Sequence, residues 1–256
     1  GDCAANALGT GVVRSGIVST SIGTSGVTFV HSDEMQFDKE GRLHTFCHAV
    51  RGKWHMMGVN LCAGGSLQWY ADNLGATGKS DIFNAMNRSA AQINAGSDGL
   101  FFLPYLAGER TPHCDPDARG CFIGLTLSHT QGHMIRSVME GVTYGLRDSL
   151  EIFQDMDVPV RQIRTSGGGA KSKLWRQMQA NVLGKKVVTI NTDQGPALGV
   201  ALLAAVGAGA YTNIQQACKA VIKETSVTPV QRNLKRKYDK HFPIYQNLYQ
   251  SLQRDF

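Results

Sequence analysis

Long hydrophobic runs are missing from this sequence, and so are the cysteine spacings typical of metal or disulfide sites. The most apolar stretch, Gly195 to Ala210, is rich in Gly and Ala and shorter than the roughly 18 residues that a membrane-spanning helix needs. The first thirty residues hold no basic segment followed by an apolar one, so they predict no signal peptide. The six cysteines form no C-x-x-C pair. These absences argue against a membrane, secreted or zinc protein, and we expect reduced thiols in the cytoplasm.

The composition is that of a folded domain. The 256 residues are 42% hydrophobic and 18% charged, which suffices for a core and is too apolar for a disordered chain. Glycine is abundant, at 29 residues, but follows no three-residue period, so collagen is excluded. Because the chain starts with Gly rather than Met, we expect that a tag, a start Met or a longer segment once preceded it.

The net charge of +6 is concentrated near the C-terminus, where five basic residues between 232 and 240 oppose one acid. Such a cluster can contact nucleic acid or an anionic lipid. The alternative, which we favour, is the solvated face of a basic amphipathic helix over 232–254, since aromatic residues interleaved with basic ones for base stacking are lacking elsewhere. We therefore expect neither a nucleic-acid nor a membrane partner. The apolar residues at helical spacing in this segment are Leu234, Tyr238, Phe242, Tyr245 and Tyr249.

The order of predicted elements indicates an α/β fold with a sheet covered by helices. The stretch 104–121, with prolines, glycines and many charges, predicts a long loop of the kind that often carries function. Strands are predicted at 16–22, 26–31, 43–49, 54–59, 162–166 and 186–190, the first four as two hairpins. Helices are predicted at 66–75, 80–95 (capped by Ser80 or Asp81), 129–155, 171–183, 195–208, 213–223 and 232–253.

Glycine-containing turns are where the sequence offers contacts to a phosphate. Gly23–Gly26 joins two strands, 63–66 opens a helix, and 167–169 joins a strand to a helix. Glycine lets the backbone approach a ligand closely, and helix N-termini favour anions. The alternatives are a plain hairpin turn and close helix packing, and packing is the default interpretation for 195–199. None of the turns is G-x-G-x-x-G, and Ala170 stands where a Walker A loop requires glycine.

Carboxylates offer two further hypotheses. Asp2 is either the N-cap of a small-residue helix or a general base beside a backbone-lined pocket. Glu109, Asp115 and Asp117 suggest a metal site at first sight. Because arginines are interspersed among them, we favour salt bridges that order the loop, and we predict no metal-ligating residues.

A longer pattern unites these weak signals. GCFIGL, seven further residues and HMIRSVME span 120–140 and resemble the signature of the FGGY carbohydrate kinases at every constrained position. The resemblance extends over about residues 1–225 of this chain, which correspond to only the C-terminal half of the proteins in that family. The segment FCHA…GKWH…MGV most resembles the branch of the family that acts on xylulose. Further matching segments are GDCAANALGTG, SIGTSG, FCHAVRGKWHMMGVNLCAGGSLQW, YLAGERTPHCDPDARG and SGGGAKSKLWRQMQANVLG.

This resemblance implies a ribonuclease H-like domain of the actin, Hsp70 and sugar-kinase superfamily, in which a central mixed sheet is flanked by helices. It implies ATP and Mg²⁺ as cofactors and Asp2 as the base that takes the proton from a sugar hydroxyl. Gly23 and Thr24 would approach the terminal phosphates of ATP. The residues that would contact the rest of the nucleotide are Gly64, Gln68, Gly168 and Gly169. Lys173 departs from the family, because glycerol-kinase-like members carry Asn there, and its contact with adenine is left open.

The D-x-G-T-T/S phosphate loop of the family's N-terminal domain has no counterpart here. We therefore expect residues 1–256 to be the ATP-binding domain of a two-domain sugar kinase whose sugar-binding domain precedes them. D-xylulose is the expected acceptor, and the isolated chain should bind nucleotide weakly at most and show no turnover. Ribulose, gluconate or glycerol as acceptor stays an alternative, as does a non-catalytic nucleotide-binding module. A homodimer is left open.

Overall fold

The computed structural model describes residues 1–75 and 81–256, so Ser80, one of the two predicted caps, lies outside the described residues. The strands are β1 (Gly16–Ile22), β2 (Gly26–Ser32), β3 (His44–Cys47), β4 (Trp54–Asn60), β5 (Phe101–Leu103), β6 (Cys121–Ile123), β7 (Val160–Gly167), β8 (Lys186–Ile190) and β9 (Glu224–Thr228). The helices are α1 (Asp2–Gly9), α2 (Gly64–Asn73), α3 (Ile82–Ala91), α4 (Gln131–Asp155), α5 (Gly168–Lys171), α6 (Lys173–Leu183), α7 (Gly195–Gly207), α8 (Ile214–Val221) and α9 (Arg232–Leu252).

One mixed sheet of seven strands organises the chain, in the order β3-β4-β2-β1-β7-β8-β9. The pairs β1–β2, β2–β4 and β3–β4 are antiparallel, whereas β7 runs parallel to both β1 and β8. Three antiparallel strands followed by two parallel ones form the ribonuclease H-like core. Because β1 and β7 are parallel, their carboxyl ends meet at one edge, where Ile22 pairs with Gly167.

Helices cover both faces of the sheet. On one face, α4 is buried along most of its length and contributes Val138, Val142 and Leu146 to the main core. On the other, α1, α7 and α8 join in a second cluster around Leu8 and Leu202. Within the described residues, 1–75 and 81–256, no helix is both long enough and apolar enough to cross a membrane.

Glycines let α1 and α7 cross at backbone distance. A Cβ on Gly9 would lie 1.8 Å from the Gly195 carbonyl oxygen, and one on Gly199 would lie 1.8 Å from the Ala5 carbonyl oxygen. Only glycine tolerates such an approach. Close helix packing, the default interpretation of 195–199, is what the structure shows.

The C-terminal helix α9 packs its aromatic face onto the core. Tyr238, Phe242, Tyr245 and Tyr249 are all buried, whereas basic residues such as Arg236 and Lys240 face solvent. The basic cluster is therefore the outer face of an amphipathic helix.

Several elements differ from the sequence-based expectation. Residues 171–183 do not form one helix, because Ser172 is extended and separates α5 from α6. Helix α2 begins at Gly64 and ends at Asn73, earlier at both ends than expected. Asp81 is the N-cap of α3, although its side chain makes no capping hydrogen bond. The short pair β5–β6 and the edge strand β9 were not predicted.

Candidate active site

Three of the glycine-containing turns converge on one cleft of about 760 Å³. The cleft lies where β1 ends, between the turn that follows β1, the start of α2 and the start of α5. Lys173 is exposed on the first turn of α6 and is not among the lining residues. The other nucleotide-contact residues expected from the sequence all line the cleft: Gly23, Thr24, Gly64, Gln68, Gly168 and Gly169.

The start of α2 is held directly against the turn after β1. The N–H groups of Gly64 and Gly65 donate to the carbonyl oxygens of Gly23 (2.8 Å) and Thr24 (3.0 Å), and the Ala63 N–H also donates to Thr24 (2.8 Å). A Cβ on Gly64 would lie 2.4 Å from the Gly23 oxygen. The glycines therefore serve close approach. These amides already have hydrogen-bond acceptors in the turn, so they are not available to bind an anion. The sequence-based interpretation of 63–66 as an anion-binding helix start is revised accordingly.

The second glycine loop crosses the end of β1. Gly167 has a φ of 77°, in the left-handed region, and a Cβ on Gly169 would lie 2.7 Å from the Cβ of Ile22. Gly168 has more room, with its nearest atom at 3.7 Å. Gly168 and Gly169 open α5, where the amides of a helix start generally lack intrahelical partners, so an anion is better accommodated by this loop than by 63–66.

The far wall of the cleft comes from α3 and the α5–α6 junction. Ser172 caps α6 by accepting the Trp175 N–H (3.1 Å), and its hydroxyl donates to Oδ1 of Asn87 (2.6 Å). Phe83 and Trp69 add ring surface, and Lys171 adds a positive charge. The cleft thus has a glycine-lined polar end and a ring-lined end.

No sequence signal pointed to Phe83, Asn84 or Asn87. The three positions share one face of the predicted helix 80–95, but helical spacing alone does not distinguish a cleft wall from a solvated surface.

Asp2 lies in a neighbouring cavity of about 280 Å³, which Ser19, Ser21, Gly167 and Asp193 also line. Ser21 and Gly167 directly precede Ile22 and Gly168 of the cleft, so the two cavities share the ends of β1 and β7 as a wall. The Cys3 N–H donates to Oδ1 of Asp2 (2.8 Å).

Glu109 anchors the strand that leads into the cleft. Its carboxylate accepts N–H groups from Leu61 (2.9 Å) and Arg110 (2.7 Å) and the side-chain amide of Asn60 (3.3 Å). Burial raises the pKa of Glu109 to about 7, against the opposing effect of these hydrogen bonds. The carboxylate thus fixes the end of β4, just before the start of α2.

The loop 104–121 is ordered differently from the expected pattern of salt bridges. Glu109 accepts backbone amides, and Asp115 accepts the hydroxyl of Tyr249 (2.8 Å). The ion pair between Asp117 and Arg119 is long, at 3.8 Å, and exposed, so it contributes little. Within residues 1–75 and 81–256, no group of three His, Cys, Asp or Glu side chains is placed to hold a metal ion.

Comparison with known proteins shows the family to which this chain belongs. The model of the FGGY family of carbohydrate kinases, C-terminal domain, matches residues 18–208. The chain belongs to the FGGY family of carbohydrate kinases. The predicted resemblance is thereby confirmed, and the similarity to solved sugar-kinase structures confirms the fold class.

This FGGY chain is 36% identical over 248 residues to the xylulose kinase of Bacillus subtilis (strain 168), which covers 97% of the chain and 49% of that protein. It is 34% identical over 258 residues to the gluconokinase of the same organism, covering 97% of the chain and 50% of that protein. A crystal structure described as a xyloylose kinase from Brucella ovis superimposes with a TM-score of 0.92 at 32% identity, covering 100% of this chain and 52% of that one. The chain spans about half the length of the curated relatives it matches.

Proposed function

We propose that residues 1–256 are the ATP-binding C-terminal domain of an ATP-dependent sugar kinase whose acceptor is D-xylulose. One observation carries the proposal: three glycine turns converge on a single cleft that shares a wall with the cavity of Asp2. The relatives are about twice as long as this chain, so the complete gene product is expected to have an additional N-terminal half. That half supplies the sugar contacts.

The two ends of the cleft suit the two ends of a nucleotide. The backbone at Gly23, Thr24, Gly168 and Gly169 accepts a close approach of the terminal phosphates, because side chains are small or missing there. The rings of Trp69 and Phe83, together with the neighbouring polar groups, suit the base of the nucleotide. Because Lys173 lies outside the lining residues, the proposal places the base against Asn87 and Ser172 instead.

Asp2 is proposed as the general base. Its carboxylate takes the proton of the sugar hydroxyl while the hydroxyl oxygen bonds to the γ-phosphorus, and the bond from that phosphorus to the β–γ bridging oxygen breaks. ADP leaves with the electron pair. The Cys3 N–H holds one carboxylate oxygen and Asp2 is exposed to solvent, so the base is oriented and accessible. Phosphoryl transfer depends mainly on positioning and charge neutralisation.

Mg²⁺ is part of the proposal. It is commonly bound by one or two carboxylates together with substrate phosphates, and Asp193 is the carboxylate, besides the base Asp2, that lines the cavity beside the glycine loop. The hydroxyls of Ser19 and Ser21 add oxygen donors to the same cavity. The ion, when bound, would neutralise charge on the phosphates.

D-xylulose is favoured over other acceptors because the names of the most similar relatives include xylulose kinases. The gluconokinase relative keeps gluconate as the second candidate. A cytoplasmic location belongs to the same proposal, since all six cysteines are unpaired and reduced thiols are typical of the cytoplasm.

The test is a substrate panel on the complete gene product with ATP and Mg²⁺, using D-xylulose, D-ribulose, gluconate and glycerol. We expect the highest kcat/KM with D-xylulose. Asp2→Asn should lower kcat by at least about 10²-fold, within the usual range for loss of a general base, with ADP affinity kept within about twofold. Equal kcat in Asp2→Asn would remove the base role, and the lack of turnover with every sugar would favour the non-catalytic module.

A further inference from the structure

The signature segment at 133–140 lies on α4, and none of its residues lines the cleft. His133, Arg136 and Glu140 follow one another at spacings of three and four residues, which places them on one face of the helix. Arg136 and Glu140 are 6% and 3% exposed. Burying two charged groups is costly unless hydrogen bonds satisfy them, so the partners of this face indicate what it does.

Arg136 caps the C-terminal end of α3. Its Nη1 donates to the carbonyl oxygens of Ala90 (3.1 Å) and Ile93 (2.9 Å). The carbonyls at a helix C-terminus carry partial negative charge, so a guanidinium placed there stabilises this end of the helix. Asn87, which lines the cleft, lies about one turn before Ala90. Arg136 therefore acts on the cleft wall from within the core.

Glu140 holds the turn that follows α3. Its carboxylate accepts the Gly96 N–H (2.8 Å) and the Ser97 hydroxyl (2.8 Å). Ser97 and Asp98 have φ values of 47° and 48°, in the left-handed region that residues other than glycine rarely adopt. Such a backbone persists only where its surroundings fix it, and Nε2 of His133 adds a hydrogen bond to Asp98 (3.2 Å). The face of α4 thus specifies where the chain leaves α3.

Helix α3 depends on these contacts for its position. It has ten residues, of which Met86 and Ala90 are buried, and a helix of this length is not stable by itself in water. On its cleft side, Asn87 accepts the Ser172 hydroxyl (2.6 Å). The side chains that α3 brings to the cleft are those of Phe83, Asn84 and Asn87.

We propose that Arg136 and Glu140 are positioning residues for the nucleotide, which fix α3 as a wall of the cleft without touching the ligand. The proposal rests on the proposed function, since it places a nucleotide in this cleft. The Tyr238 hydroxyl of α9 completes the arrangement: it accepts from Nη2 of Arg136 (3.1 Å) and donates to Glu140 (2.8 Å), while Nε of Arg136 also donates to Glu140 (2.9 Å). Each member of this buried network orients the other two.

The test is Arg136→Lys in the complete gene product. Lysine keeps a positive charge beside Glu140 but lacks the planar fork that reaches the carbonyls of Ala90 and Ile93. Because α3 then occupies its wall position only part of the time, the Kd for ADP in isothermal titration should rise at least about tenfold. The KM for ATP should rise in parallel, with kcat at saturating ATP within about twofold of wild type. Without ligand, the amides of α3 should exchange hydrogen faster than in wild type.

Leu202→Ala is the matched control for a general loss of stability. Leu202 is buried in the second cluster, on the opposite face of the sheet from α3. Both variants should lower the midpoint of the unfolding transition of this half by several degrees, but Leu202→Ala should keep the Kd for ADP within about twofold and should not speed exchange in α3 as Arg136→Lys does. An equal loss of ADP affinity in both variants, or wild-type affinity in Arg136→Lys, would overturn the proposal.

Tyr238→Phe is the second variant, and it decides the matter if Arg136→Lys does not fold. It removes one hydroxyl and keeps the ring in the core, so ADP binding should weaken by about two- to tenfold and α3 should exchange faster. Wild-type values for both would overturn the proposal. A wild-type gene product that binds no ADP, together with faster exchange of α3 in the variants, would reject the nucleotide site and keep the network as the device that positions α3.

Discussion

The contact between the turn after β1 and the start of α2 makes a quantitative prediction for Gly64→Ala. The added methyl would lie 2.4 Å from the Gly23 oxygen, and ordinary contact begins near 3.4 Å, so the turn must retreat by about 1 Å. The hydrogen bonds from Ala63, Gly64 and Gly65 to the turn, now 2.8 to 3.0 Å long, would then exceed the length of a normal bond. Three bonds at about 1 kcal/mol each amount to about 3 kcal/mol of unfolding free energy.

For a cooperative unit of this size, that loss corresponds to a fall of roughly 6 to 12 °C in the midpoint of the unfolding transition that belongs to this half. It should be accompanied by weaker ADP binding, because the retreating turn carries Gly23 and Thr24 into the cleft. The measurements are differential scanning calorimetry and isothermal titration with ADP on the complete gene product.

Gly168→Ala is the matched control. Its methyl would have its nearest neighbour, the Ile22 oxygen, at 3.7 Å, so the midpoint should stay within about 1 °C of wild type. If the phosphates lie against this loop, ADP affinity should nonetheless fall. A Gly64→Ala protein with wild-type midpoint and ADP affinity would refute the packing argument, and unchanged ADP affinity in Gly168→Ala would remove that loop from the phosphate site.

Two buried titratable groups yield the remaining predictions. Burial lowers the pKa of His48 to about 4, and its ring nitrogens bond to the Val12 oxygen and the Val50 N–H. The free energy of unfolding should therefore decrease as pH falls from about 6.5 to 4. His48→Gln should reduce this decrease by a few kcal/mol, as measured by urea titrations at acid pH. A parallel loss in wild type and variant would contradict the role of His48. Burial raises the pKa of Asp148 to about 8, so the fold favours its protonated form and loses stability as pH rises from about 4 to 8. Asp148→Asn can keep the bond from Gln246 and should be more stable than wild type at pH 8 but not at pH 4, as urea midpoints at the two pH values would show; equal midpoints at pH 8 would refute it.

Elements with a strong local signal were predictable from the sequence. The strand 186–190 has the predicted bounds, and the hairpin around Gly23 differs by one residue. The break at Ser172 was not predictable, because its cause is a pair of contacts with Trp175 and with the distant Asn87. Strand β9 escaped prediction because an edge strand with largely exposed side chains lacks the alternation of a half-buried strand.

The candidate site shows the same division. The glycines at 23, 64, 168 and 169 were named from the sequence, and close packing explains two of them, since a Cβ on Gly64 or Gly169 would lie less than 3 Å from a neighbouring atom. The ring-lined end was missed, since Phe83 and Asn87 reach the cleft only through the packing of α3. Glu109 was assigned to salt bridges, because its acceptance of the Leu61 amide depends on tertiary structure.

The most direct test of the central claim is a crystal structure of the complete gene product with ADP. The phosphates should lie against Gly23, Thr24, Gly168 and Gly169, and the base should lie against Phe83, Asn87 and Ser172. A nucleotide bound elsewhere, or a cleft that stays empty at saturating ADP, would contradict the claim.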